Sequence, residues 1–137
     1  MTDPTRARAE AMWAQDNASV GLGMRLEDVT PGRARLSMPI TEAMTNGHGI
    51  CHGGFIFALA DSASAFAANP RGEPAVAQHA SITYLRPGRA GERLVAEAAE
   101  RMHAGRSGIY DVRVTTAEGD LVAEFRAHTR TIRKAEG

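Results

Sequence analysis

The sequence predicts an α+β domain: one long buried helix wrapped by a curved antiparallel sheet of about five to six strands. Three observations predict it. The segment Phe55–Ala68 is apolar almost all round, and a helix apolar on every side belongs inside a protein. Strand-like segments that alternate in polarity lie on both sides of it, two before and about four after. At 137 residues the chain reads as one domain, 1–137, able to bury most of its apolar surface without disulfides. A single sheet over a single helix leaves the helix part-covered and the sheet with open edges. A second copy of the chain is expected to supply the missing cover.

In chain order, Asp3-Pro4 or Thr2-Asp3 caps a short helix over about residues 3–16, with proline in its first turn. Ala11, Met12 and Trp13 are expected to face the body of the protein. Asn17–Gly23 (NASVGLG) is a break. Met24–Val29 and Arg33–Ile40 read as strands around the turn Thr30-Pro31-Gly32. The second alternates Ala34, Leu36, Met38 and Ile40 against Arg33, Arg35 and Ser37. Thr41–His52 is loop, and the central helix follows over about residues 53–68, closed by Asn69-Pro70 and Gly72.

Long strands then take over. Pro74–Leu85 ends at the turn Arg86-Pro87-Gly88. Glu92–Ala104 is ambiguous, helical by its Ala and Glu content and β by its position among strands. Ser107–Thr116 alternates Tyr110, Val112 and Val114 against Ile109, Asp111, Arg113 and Thr115. Ala117–Asp120 is a hairpin turn, Leu121–Ile132 the last strand, and Lys134–Gly137 a tail. These four strands are expected in antiparallel succession.

Bulk composition excludes several classes. Sixteen basic residues balance sixteen acidic ones, which argues against a general nucleic-acid binder. One cysteine permits no internal disulfide and requires no oxidising compartment. The N-terminus MTDPTRARAEAMW has no apolar h-region, and no run approaches the roughly eighteen apolar residues of a membrane span. The expectation is a cytoplasmic protein without membrane or nucleic-acid partners.

Asp61 is the residue that needs explaining. Its neighbours three and four places along the helix are Phe57, Ala58, Ser64 and Ala65, so its own helix offers no cation. An ionised carboxylate among apolar groups has a raised pKa and suits a general base or nucleophile. The structural alternative is an aspartate satisfied by a hydroxyl and a neighbouring subunit's backbone. Gly53 and Gly54 open the helix, where unpaired N–H groups and the helix dipole favour negative charge and can stabilise an oxyanion. Asn46 and His52 lie just before it. Each has a structural reading too, Asn46 as an Asn-Gly turn residue and His52 as a loop-packing histidine.

The stretch NGHGICHGGFIFALADSASAFAANPRG, Asn46–Gly72, resembles the helix-opening signature of hotdog-fold acyl-CoA thioesterases, in particular their phenylacetate-pathway (PaaI-type) branch. The likeness extends through MWAQDNASVGLG, AVAQHASITYLRPGRAGERL, GRSGIYDVRV and EFRAHTRTI, from about Met12 to Ile132. It implies a hotdog fold, a dimer or tetramer, and hydrolysis of an acyl-CoA thioester. It assigns catalysis to Asp61, oxyanion binding to the Gly53 amide, and supporting roles to Asn46 and His52. Gly54 and Phe57 would line the substrate site. Phe55, Leu59 and Phe66 are also available to a pocket. Arg86, Arg89 and Arg106 are candidates for the CoA phosphates, a geometry that suits arginine. No metal or redox cofactor is implied, and CoA enters as part of the substrate. Small aromatic acyl groups such as phenylacetyl or hydroxyphenylacetyl are favoured. Where neighbouring branches carry a serine or threonine to position water, this chain reads Ala77-Gln78-His79.

One geometric consequence follows at once. Gly53 and Asp61 are eight residues apart on one helix, roughly 12 Å of rise. A reacting carbonyl must lie about 3 Å from both donor and base. Either one residue is idle, or Gly53 of one subunit faces Asp61 of the other; the resemblance supports the second.

Rival chemistries are weaker. Cys51 and His52 are adjacent and rarely point at each other, so a Cys–His nucleophile is disfavoured. His48, Cys51 and His52 lack the second ligand cluster of a zinc site. A non-catalytic acyl-CoA sensor would not need Asp61. A hotdog dehydratase would need a histidine acting with the aspartate, and none lies in Asp61–Gly72.

Overall fold

The computed structural model describes residues 3–132, so the Lys134–Gly137 tail and the Thr2 cap lie outside the described residues. Asp3 caps helix α1 (Pro4–Trp13), its carboxylate accepting from the Thr5 amide. Asp16 then accepts from the Ser19 amide and hydroxyl and starts a second short helix, α2 (Asn17–Gly21). The sequence predicts a helix to residue 16 and a break over Asn17–Gly23, whereas α1 ends at Trp13 and α2 occupies most of that break. An aspartate with a free N–H three residues on makes a cap there. Ala11 is also corrected: it is exposed, and Ala9, Met12 and Trp13 face inward, with Trp13 edge-on to Phe66 at 5.6 Å.

The strands are β1 (Arg25–Thr30), β2 (Arg33–Pro39), β3 (Ala75–Tyr84), β4 (Arg93–Ala104), β5 (Ser107–Thr116) and β6 (Leu121–Thr131). They form one antiparallel sheet in the order β1-β2-β4-β5-β6-β3. The ambiguous Glu92–Ala104 segment is thus a strand. Its ladders to β2 and β5 override its local helix preference, and Leu94, Ala96 and Ala98 alternate inward. The expected simple succession needs correction as well. β3 does not neighbour β4 but pairs with β6 at the far edge.

Helix α3 (Gly53–Ala68) lies in the concave face of this sheet, the hotdog arrangement. Ile56, Leu59, Ala60, Ala63, Phe66 and Ala67 are buried against Leu36, Met38, Leu94, Val112, Val114 and Phe125. The alanines let the sheet approach the helix closely, and each larger side chain so buried contributes about 1.5–3 kcal/mol. At the helix end Asn69 donates from Nδ2 to the Ala65 and Ala75 carbonyls and accepts from the Ala75 amide. It thereby ties α3 to the start of β3.

One stripe of α3 is not covered. Gly54 is exposed, and Phe57, Ala58, Asp61, Ser62 and Ala65 are only half-buried. The stripe repeats at three and four residues, as one helix face should. Asp61 sits at its centre.

Candidate active site

The site begins at the entry to α3. His52 has extended backbone, and its Nδ1 accepts from the Gly54 amide at 3.0 Å, so it is the N-cap. A Cβ on Gly54 would stand 3.1 Å from that nitrogen. The Gly54 amide is therefore committed to the cap. The amide of Gly53, the first helical residue, has no acceptor among the described residues and keeps the open donor of a helix start.

Asn46 precedes the turn, and its Oδ1 accepts from the His48 amide at 2.9 Å and the Ile50 amide at 3.4 Å. Its backbone N–H donates to the Ile50 carbonyl. It is thus a turn residue, as its Asn-Gly context suggested. It also lines a cavity of about 400 Å3 with Ile50, Cys51, Gly53, Ile56 and Tyr84–Gly88. Cys51 is buried, its thiol directed at the His52 carbonyl. Burial pushes that thiol's pKa up, which keeps it protonated and a poor nucleophile.

Tyr84, at the last position of β3, was not singled out from sequence. Its hydroxyl donates to the Gly53 carbonyl at 2.8 Å. A Cβ on Gly53 would meet its ring and hydroxyl at 2.8 Å, so a larger residue there would have to displace the end of the Tyr84 side chain. No local signal marks this pair. It joins residues 31 apart and depends on the register of β3 against β6.

Asp61 is not at this cavity, as eight residues of helix require. Burial raises its pKa, and among the described residues no hydrogen bond or cation offsets that rise. Beside it, Ser62 shares a 2.8 Å hydroxyl contact with Ser19 of α2, and Ser64 donates to the Asp61 carbonyl, leaving the carboxylate itself unclaimed. Phe57, one turn before, packs edge-on against Phe125 with centroids 5.2 Å apart.

The arginines separate. Arg86 is at the cavity wall but already pairs with Glu92 at 3.0 Å; that hydrogen bond raises the Arg86 pKa and lowers that of Glu92. Arg89, three residues on, has an exposed side chain with no ion pair among the described residues. Arg106 lies in the β4–β5 turn, where its carbonyl accepts from Thr131 opposite Ala75. Tyr84 is nine residues further along that strand, so within one chain Arg106 is roughly 30 Å from the Gly53 cavity.

A second groove of about 450 Å3 crosses the outer sheet face among Asp28, Arg33, Arg35, Glu97, Arg101 and Arg113. Asp28, Arg35, Glu97, Arg113 and Glu124 follow one another across five strands in register, alternating in sign. Within that row Arg113 approaches Glu124 at 3.9 Å, while Asp28 approaches Arg6 at 3.8 Å, and Asp61 and Gly53 lie on the other side of the sheet.

Residues 48–123 match the family model of the thioesterase superfamily. The chain is 40% identical over 124 residues to the acyl-coenzyme A thioesterase PaaI of Escherichia coli (strain K12), covering 90% of this chain and 89% of that one. It is 33% identical over 134 residues to acyl-coenzyme A thioesterase 13 of Homo sapiens, covering 95% of each. The solved structure of the E. coli PaaI protein, from the phenylacetic acid degradation operon, superposes with a TM-score of 0.94 over 96% of both chains, at 37% identity. Among the described residues no helix is long and apolar enough to cross a membrane.

Proposed function

This chain belongs to the thioesterase superfamily, and from that premise we propose that it hydrolyses acyl-CoA thioesters at a site shared by two copies. One observation carries the reading: an unpaired helix-opening amide, Gly53, and an unpaired carboxylate of raised pKa, Asp61, stand eight residues apart on the same helix. Two such helices side by side and antiparallel bring each amide to the other's carboxylate, giving two equivalent sites.

The edges of the sheet support the pairing. β1 carries Arg25, Glu27 and Asp28, charges that discourage strand addition. β3 (AVAQHASITY) has no Lys, Arg, Asp or Glu and is exposed along most of its length. The half-exposed α3 stripe would be covered by the same association. A homodimer is the minimum, and a homotetramer is two of these.

Asp61 then removes a proton from a water molecule as that water attacks the thioester carbonyl. The carbonyl oxygen takes up negative charge facing the partner's Gly53 N–H. On collapse the C–S bond breaks, and the proton held by Asp61 passes to the CoA sulfur, leaving free acid and CoA thiol. His52 and Asn46 hold the helix entrance and its loop. No metal or redox group is needed. Arg89 is the arginine best placed to meet a CoA phosphate, since Glu92 holds Arg86. The cavity beside Gly53, about 400 Å3 and walled by Ile50, Ile56, Tyr84 and Pro87, suits a small aromatic acyl group such as phenylacetyl.

The test is CoA release, followed with a thiol reagent, on aromatic and straight-chain acyl-CoAs. Asp61→Asn and Gly53→Pro should each be inactive; proline is tolerated at a first helical position and deletes the N–H. Mixing and refolding the two variants should restore about a quarter of wild-type turnover, because half the dimers are hybrids with one intact site each. No recovery would refute the shared site. Acyl-CoA binding with no release from any substrate in wild type would replace the enzyme with a ligand sensor.

A further inference from the structure

We propose that Tyr84 is a positioning residue for this hydrolysis, holding the glycine pair that opens α3 so that the Gly53 N–H keeps its aim. The inference rests on the reading of Gly53 as the oxyanion donor. Its basis is the treatment of one peptide unit. The Gly53 carbonyl accepts from the Tyr84 hydroxyl at 2.8 Å, and the Gly54 amide of the same unit donates to His52 Nδ1 at 3.0 Å. The Gly53–Gly54 peptide is thus gripped at both ends. Two successive glycines are where the backbone is freest to rotate, and a donor displaced by a fraction of an ångström loses much of its value in the transition state.

The core of the single chain does not account for the tyrosine. It is 48% exposed, so it contributes little to the core. Its ring instead lies over Gly53, close enough that an added Cβ would stand 2.8 Å from Cζ. It forms a wall of the cavity beside the amide. Desolvation raises the phenol's pKa, so the hydroxyl remains a donor at neutral pH. The arrangement links β3, the open edge of the sheet, directly to the first turn of α3.

The discriminating variant is Tyr84→Phe, which keeps the ring and deletes the donor. Steady-state CoA release should show kcat down about tenfold with KM within twofold, the pattern of an interaction realised in the transition state. A surface contact of structural value alone would lower Tm and leave kcat unchanged, and that result overturns the proposal. A second arm uses Gly53→Ala, whose methyl must displace the phenol. If Tyr84 acts through Gly53, the double variant Gly53→Ala/Tyr84→Ala should be no slower than the slower of the two single variants. Losses that multiply would mean the two residues act independently and would also overturn it. Asp61→Asn runs alongside. If it is inactive while Tyr84→Phe is wild type in kcat, the Tyr84 inference fails alone. If it turns over normally, the hydrolytic reading fails and takes this inference with it.

Discussion

Two aspartates of this chain stand in opposite environments. Asp111, on the outer face of β5, receives Arg126 Nε at 2.6 Å and Nη2 at 2.9 Å, with Arg101 Nε at 3.4 Å. Those bonds, Arg126's first, hold its carboxyl below the ordinary 3.8. Asp61, midway along α3, has no such partner among the described residues, and burial pushes it above 3.8. Among the described residues the carboxylate on the sheet face is paired and the one on the helix face is not. A carboxylate left unpaired in a part-buried stripe makes the fold less stable than it could be, and that is the environment a catalytic base requires.

The largest effect should come from removing the incomplete carboxylate. Asp61→Asn preserves shape and size, so the protein should fold, while kcat for acyl-CoA hydrolysis falls by at least about a hundredfold, the usual worth of a general base. The acid limb of the wild-type kcat/KM profile should lie above pH 3.8, because the group is raised. A limb at or below that value would contradict the environment described for Asp61.

The next effect concerns stability and has an unusual sign. A carboxyl whose folded pKa is raised contributes stability that is fully present below its unfolded pKa and is lost as pH rises through the folded value. Asp61→Asn should therefore raise Tm at neutral pH, with the gain shrinking to nothing as the pH falls below about 3.8. Thermal unfolding of the two proteins across that range checks it. A lower Tm for Asp61→Asn at neutral pH would mean that the carboxylate has favourable partners after all.

Asp61 was legible in the sequence because one helical period suffices: the residues three and four away are all apolar or hydroxylic. The inward rows Ala34-Leu36-Met38 and Tyr110-Val112-Val114 were legible for the same local reason, the period of a strand. What failed locally was decided at long range. Arg93–Ala104 is a strand because β2 and β5 flank it, not because Ala and Glu prefer extended backbone. β3 reaches β6 rather than β4, and that register alone brings Tyr84 to Gly53. His52 as a helix cap was missed since histidine is not a usual capping residue, although Nδ1 has the reach. Arg86 and Arg89 read alike in sequence. Only the fold shows that Glu92 ion-pairs with Arg86 while it takes no more than the backbone N–H of Arg89.

The smallest effect belongs to the completed side of the comparison. Asp111→Asn removes an exposed, double hydrogen bond to Arg126 and the weaker approach of Arg101. Pairs at the surface are screened by water and salt, so the loss in Tm at neutral pH should be slight. Its sign is nonetheless opposite to that of Asp61→Asn. A depressed carboxyl contributes stability above its unfolded pKa, and that contribution is lost as pH falls through the folded value. The Tm deficit of Asp111→Asn should therefore be present at neutral pH and fade in acid below 3.8, while kcat and KM stay at wild-type values. Equal and same-signed responses from the two asparagine variants would erase the distinction between a carboxylate held by the sheet and one left open on the helix. A loss of kcat in Asp111→Asn would mean that the outer sheet face reaches the reaction through an association this single chain does not contain.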